Sequence, residues 1–212
     1  MLKRLSSLAL PAALALAAGP AAASSWVLDA DHTTVGFSVR HMMVTEQKGA
    51  FDTFTGAIEL DDKDLTKSTV NVTIDAASIN TKSKKRDDHL RSPDFFDVAQ
   101  FPKLTFASTK VEKAKDGGYT VTGNLSLHGV TKPVTLTVAP LSDGLKDPWG
   151  NIHRGTTAVA KINREDFGLK WNAAIEKGGV VVGKDVTIEL QIELLPAPAA
   201  APAAPAAPAT KK

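Results

Sequence analysis

Apolar and polar side chains alternate at every second position over most of this chain, and no other feature narrows its fold so far. The clearest run sets Val186, Ile188, Leu190, Ile192 and Leu194 against Thr187, Glu189, Gln191 and Glu193. That period places successive side chains on opposite faces of an extended strand. Val35, Phe37, Val39 and His41 make one such face, and Phe54, Ile58 and Leu60 another, followed by Val70, Val72 and Ile74. Leu104 and Phe106 begin a strand that ends near Val111. Asp116-Gly117-Gly118 is a hairpin signal leading into Tyr119, Val121, Leu125 and Leu127. Val134, Leu136 and Val138 return, and Ala158, Ala160 and Ile162 precede the final run. Eight strands with one apolar face describe an antiparallel sheet. Such a sheet closes naturally into a barrel, which removes its open edges. An eight-stranded barrel is either filled by its own side chains or holds one small ligand. Gly36, Gly56, Gly123, Ala158 and Ala160 sit inside strands; small residues there mark a bend, a bulge or the close approach of another group.

The two termini lie outside this pattern. Lys3 and Arg4 precede an uncharged apolar stretch from Leu5 to Ala18, and Ala21-Ala22-Ala23 offers a small-residue cleavage site. Residues 1–23 therefore read as a secretory signal peptide cleaved before Ser24, with a periplasmic destination expected. Pro11, Gly19 and Pro20 argue against an uncleaved membrane helix. Residues 196–212, almost all Pro and Ala, form no apolar face and read as a disordered tail or spacer. That leaves residues 24–195 as a single domain. Without Lys3 and Arg4, the 25 basic and 23 acidic residues come into balance, so no basic stripe suggests nucleic acid. The chain has no cysteine, so the fold has no disulfide staples.

One segment breaks the alternation. From Ser78 to Phe106 the chain carries charge, two helix-start signals and Phe95, Phe96, Phe101 and Phe106. Ser83 is placed to cap a helix from Lys84 to Leu90, and Ser92-Pro93-Asp94 is a second start. A long irregular insertion in a compact domain often serves as a lid or binding loop. Arg86, Asp87, His89 and Arg91 form a charged knot within it. The knot is either a solvated helix face or a polar latch, built on Arg86, Asp87 and His89, that fixes a lid over the barrel mouth.

Catalytic signatures are sparse. The histidines are His32, His41, His89, His128 and His153, with no H-x-H or H-E-x-x-H spacing, so neither a metal nor a cofactor is expected. Convergence of His32, His41 and His89 in space is the arrangement that would change this. No G-x-S-x-G elbow or phosphate-cradling loop is present.

The motifs together resemble the YceI-like family of polyisoprenoid-binding periplasmic proteins. The resemblance is carried by Trp26 to Thr33 running into Val35 to His41. It continues in Ser78-Ile79, Thr81, Arg86-Asp87, His89-Leu90, Phe95-Phe96-Asp97, Phe101-Pro102 and Thr105-Phe106. Gly123 to Val134 and Ile162 to Gly168 complete it. It implies an all-β fold: an eight-stranded antiparallel lipocalin-like barrel with a short helical insertion, holding an isoprenoid chain such as a quinone tail or polyprenyl lipid. No catalytic activity is implied. Isoprenoids suit an apolar tunnel, because each buried CH₂ contributes roughly 0.8 kcal/mol with no polar matching. The expected ligand-binding residues are Phe37, Phe54, Leu104, Phe106, Leu127 and Ile162, with Phe95 and Phe96 at the lid. Beyond the lipid, transient membrane contact and a homodimer are compatible with such a carrier. Two alternatives stand beside it: a periplasmic enzyme using His32, His41 or His89 with Asp87, or a metal site, and a stress-associated interaction protein whose barrel is solid.

Overall fold

The computed structural model describes residues 23–175 and 178–198. Residues 1–22 of the expected signal peptide and residues 199–212 of the expected tail lie outside them. The alternating segments become strands: β1 (Ser24–Leu28), β2 (Thr34–His41), β3 (Thr45–Phe51), β4 (Phe54–Leu60), β5 (Thr69–Asp75) and β6 (Ile79–Asn80). Helix α1 (Lys84–Arg91) follows, then β7 (Lys103–Lys113), β8 (Tyr119–Leu127), β9 (Val130–Val138), β10 (Leu145–Lys146) and β11 (Ile152–Asn163). The short β12 (Ala174–Ile175) and β13 (Gly179–Val180) pair with each other ahead of β14 (Val182–Pro196).

The sheet runs β11-β9-β8-β7-β5-β4-β1-β14, and β14 pairs back onto β11 from Arg154↔Leu194 to Asn163↔Asp185. An all-β, antiparallel barrel of eight strand positions is thereby closed. Two positions are each made of two consecutive strands. β1 and β2 lie end to end along one edge of β14, from Trp26↔Pro196 through Thr34↔Gln191 to Val39↔Val186. β4 and β3 follow them in the next position, interrupted at Asp52 and Thr53. The alternation of Phe54, Ile58 and Leu60 accounts for β4 only. β3 has the sequence Thr-Glu-Gln-Lys-Gly-Ala-Phe, which carries no apolar period, and it becomes a strand through its pairing with β2.

The insertion forms a single short helix. Ser83 occupies the N-cap position, but its side chain makes no capping bond. Ser92, read as a second start, instead ends α1: its hydroxyl donates to the His89 carbonyl (2.7 Å), and tight turns follow. The helix has only one buried residue, Asp87. It is anchored by polar bonds to the segment before it, not by an apolar stripe.

The barrel interior divides into two apolar clusters. One joins Phe51, Ala76, Ile79, Phe95, Leu104, Leu125, Leu127, Phe167 and Leu169 at the end covered by the insertion. The other joins Trp26, Ile58, Leu60 and Leu194 towards the opposite end. Ala76 and Ile79 have no exposed surface, so the insertion end is sealed.

Candidate ligand-binding cavity

The barrel is hollow over part of its length. A cavity of about 210 Å³ lies inside it, walled by residues of every strand position. Its wall is built from inward-facing alternate residues: Ile58 and Leu60 of β4, Val70, Val72 and Ile74 of β5, Val121 and Leu125 of β8, Val134, Leu136 and Val138 of β9, and Ile188, Leu190, Ile192 and Leu194 of β14. Among the described residues no charged side chain lines it, and its polar contributors are Thr33, Thr34, Ser68, Tyr119 and Thr156. At about 30 Å³ per liquid water, the space corresponds to about seven waters. A void with this lining offers water few partners, so an apolar guest is favoured.

The cavity runs from a floor beneath the insertion to the opposite end of the barrel. Phe106 and Leu125 line it and also pack into the cluster beneath the insertion, where Phe51 meets Phe37 at a tilt and Phe96 edge-to-face, with centroids 5.9 and 5.7 Å apart. At the far end it reaches Leu65 of the β4–β5 connection, Val111 and Tyr119 beside the β7–β8 hairpin, and Ala139 and Leu141 after β9. Small residues keep it open. Ala158, 1% exposed, faces Leu190 on one side and Val138 on the other and lies on the wall.

Of the residues expected to touch ligand, the structure places Phe106 on the cavity wall. Leu104 and Leu127 are buried in the sealed cluster, and Phe37 and Ile162 pack against it. Phe54 faces Ile74 across the β4–β5 ladder, half-buried and off the wall. Phe95 is 6% exposed in the sealed cluster, and Phe96 packs against that cluster. These two therefore plug the floor of the barrel. Leu28, Val35, Ile58, Val70, Leu136 and Leu190 were not singled out as ligand contacts from the sequence, yet they form much of the wall.

The charged knot is brought together, and it binds backbone. Thr81 donates to Asp87 Oδ1 from its amide (2.8 Å) and its hydroxyl (2.5 Å), while Arg86 donates to the Thr81 hydroxyl and carbonyl (both 2.7 Å). Arg91 reaches the carbonyls of Ala77 (2.7 Å) and Ile79 (2.8 Å). His89 pairs with Asp94 (2.8 Å) and presents its ring edge-on to Phe95 and Trp171. The knot rivets α1 to the β6 segment at the sealed end. Nearby, Arg164, 4% exposed, donates to the carbonyls of Leu169, Gly183 and Trp171 at 2.5, 2.9 and 3.0 Å. His32 and His41 stand at opposite ends of β2, and His89 sits among the aromatics, so these histidines do not form one centre.

The YceI-like domain profile matches residues 26–194, essentially the whole barrel. The chain belongs to the YceI-like family. Among curated YceI-like relatives, a UPF0312 protein of Staphylococcus aureus is 37% identical over 171 residues, covering 80% of this chain and 96% of that one. A UPF0312 protein of Serratia proteamaculans is 42% identical over 159 residues, covering 74% and 82%. A Campylobacter jejuni YCEI crystal structure superposes with a TM-score of 0.63 at 30% identity, over 79% of this chain and 95% of that one. Two more distant structures share the fold. Burkholderia cenocepacia BcnA gives 0.68 at 23% identity over 78% and 98%. A polyisoprenoid binding domain from Saccharophagus degradans gives 0.57 at 19% identity over 82% and 99%.

Proposed function

We propose that this YceI-like barrel is a periplasmic carrier that holds an isoprenoid chain, the tail of a quinone or a polyprenyl lipid, in its cavity. The observation that carries the reading is the wall itself: every strand position contributes, and among the described residues no charged side chain lines it. A flexible hydrocarbon gains from such a wall roughly in proportion to the surface it hides, with no polar group to satisfy. The likeness to a polyisoprenoid binding domain points the same way. The entrance we assign is the end away from the insertion, beside the segment on which Leu145 (70%) and Trp149 (86%) are exposed. Those two side chains are suited to touch a bilayer while lipid passes in or out.

The wall supplies no acid, base or nucleophile beyond the hydroxyls of Thr33, Thr34, Ser68, Tyr119 and Thr156, which favours binding over turnover at this site. The test is to purify the chain from its native type of host, extract it with organic solvent and identify the extract by mass spectrometry. A prenyl lipid or prenylquinone is expected, together with saturable rebinding by the stripped protein. An empty extract combined with no uptake of added prenyl lipid would overturn the reading.

A further inference from the structure

Outside the barrel, behind the part of the wall made by Leu194 and Thr33, five titratable side chains from three distant stretches converge. The turn between β1 and β2 supplies Asp29 and His32, β14 supplies Glu193, and the approach to and start of β11 supply Asp147 and His153. His153 Nδ1 lies 2.6 Å from Glu193 Oε1, and His32 Nδ1 lies 2.9 Å from Asp29 Oδ2 and 3.9 Å from the same Glu193 oxygen. One ligating atom from each of Asp29, His153 and Glu193 falls within 4.8 Å of the other two.

The frame around these atoms is fixed. The Glu193 carbonyl accepts the Asp29 amide (2.9 Å) and the Thr33 hydroxyl (3.2 Å), and the Glu193 amide donates to that hydroxyl (3.1 Å). Asp29 Oδ1 is taken by the Asp31 amide (2.9 Å), leaving Oδ2 for the cluster. On the other side, Asp147 Oδ1 accepts the amides of Trp149 (2.9 Å) and Asn151 (2.8 Å), and its Oδ2 accepts the Asn151 side-chain amide (2.7 Å). That same Oδ2 meets His153 Nε2 at 3.2 Å. A carboxylate on the far nitrogen orients an imidazole as it does in metal-bound histidines, while the near nitrogen shares with Glu193 a proton that an incoming ion must displace. Here the near nitrogen is Nδ1, and it faces Glu193 and Asp29.

We propose that Asp29, His153 and Glu193 form a binding site for a divalent first-row transition ion of the zinc–copper class, with Asp147 as a positioning residue and His32 paired to Asp29 at its edge. An imidazole with two carboxylates matches the borderline ions, whereas Ca²⁺ and Mg²⁺ take oxygen shells. An ion there would bind the β1–β2 turn, the loop before β11 and the end of β14 to one another, on the side of the barrel that carries the segment beside the assigned entrance.

The test titrates the untagged full chain, stripped with EDTA, with ZnCl₂ by calorimetry, and records visible absorption after loading with Co²⁺. One equivalent of Zn²⁺ is expected, with no competition from Mg²⁺. His153→Ala and Glu193→Gln should each weaken binding at least about tenfold, and Asp147→Asn by about 10–100-fold. Each should also change the Co²⁺ bands, which a purely structural role for Asp147 would not do. Glu193→Gln preserves the backbone bonds to Asp29 and Thr33, and circular dichroism confirms its fold. His89→Ala should bind as wild type. Absence of saturable binding tighter than about 1 mM would overturn the proposal, as would binding that survives both His153→Ala and Glu193→Gln. Neither outcome depends on what fills the cavity.

Discussion

The ring of Phe106 lies against the bare Cα of Gly123 on the adjoining strand, so close that a Cβ there would overlap ring atoms Cζ and Cε2. The same Cβ would stand 2.6 Å from the Ala107 carbonyl oxygen, which is backbone and cannot swing aside. Gly123→Ala should therefore strain the β7–β8 pair and displace Phe106, destabilising the protein by about 1–3 kcal/mol. A urea midpoint that falls with an unchanged slope is the expected result. An unaltered midpoint would show that the contact relaxes freely.

Ala158 leaves the cavity open where a larger side chain would fill it. Ala158→Phe should project into the void and lower prenyl-lipid affinity at least about tenfold, 1.4 kcal/mol. Thermal unfolding should change little, because the ring enters space that is already empty. Lipid titration beside a melting curve separates the two effects.

The Asp87–Thr81 pair holds α1 to the sealed end, away from the assigned entrance. Asp87→Ala leaves the Thr81 amide and hydroxyl without this acceptor, at a cost of about 1–3 kcal/mol. Lipid retention should be unchanged once the variant is compared at equal folded fraction. Loss of retention without loss of stability would place the entrance at the insertion.

Arg164 is a buried cation served by carbonyls, and burial lowers its pKa from the ordinary guanidinium value. Arg164→Met removes the donors to four carbonyls and should destabilise by about 3 kcal/mol or more. Arg164→Lys should recover only a fraction, since a compact ammonium cannot reproduce the planar fork. Chemical denaturation of both variants checks the order.

Asp75 links the barrel to the insertion, and the Ala77 amide, then Lys103, hold its carboxyl below the ordinary 3.8. A carboxylate whose folded pKa is depressed contributes stability that is fully present above the unfolded pKa. That contribution is lost as pH falls through the lower, folded value. Asp75→Asn should thus be less stable than wild type at neutral pH, and the difference should shrink below about pH 4. Parallel denaturation series at several pH values measure this convergence.

Alternation made the barrel legible, because a period of two states which face each residue takes. It does not state the height at which that residue stands. Leu104 and Leu127 share the inward face with Phe106 and Leu125, yet they sit below the cavity, within the sealed cluster. Strand shear sets that height, and shear follows from pairings such as Thr105↔Ser126 that connect distant parts of the chain. β3 stayed hidden for a related reason, since its strand character comes from its neighbour. Gly123 was legible only as a bend, a bulge or a close approach, because sequence does not show the Phe106 ring that lies against it. The cluster around His153 carried no local spacing, because its members come from residues 29 to 193.

β14 pairs with β11 along one edge and with β2 and then β1 along the other. Trp26 meets Pro196, so the first described strand finds one partner only after nearly all of the domain has been made. Closing so large a loop makes for slow folding. Until Val182–Pro196 docks, β11 and the β1–β2 edge both present unpaired amides and carbonyls, a template for other chains. Self-association should therefore be most acute in chains that stop short of Val182, and a helper that shields those two edges would act in the interval before the barrel shuts.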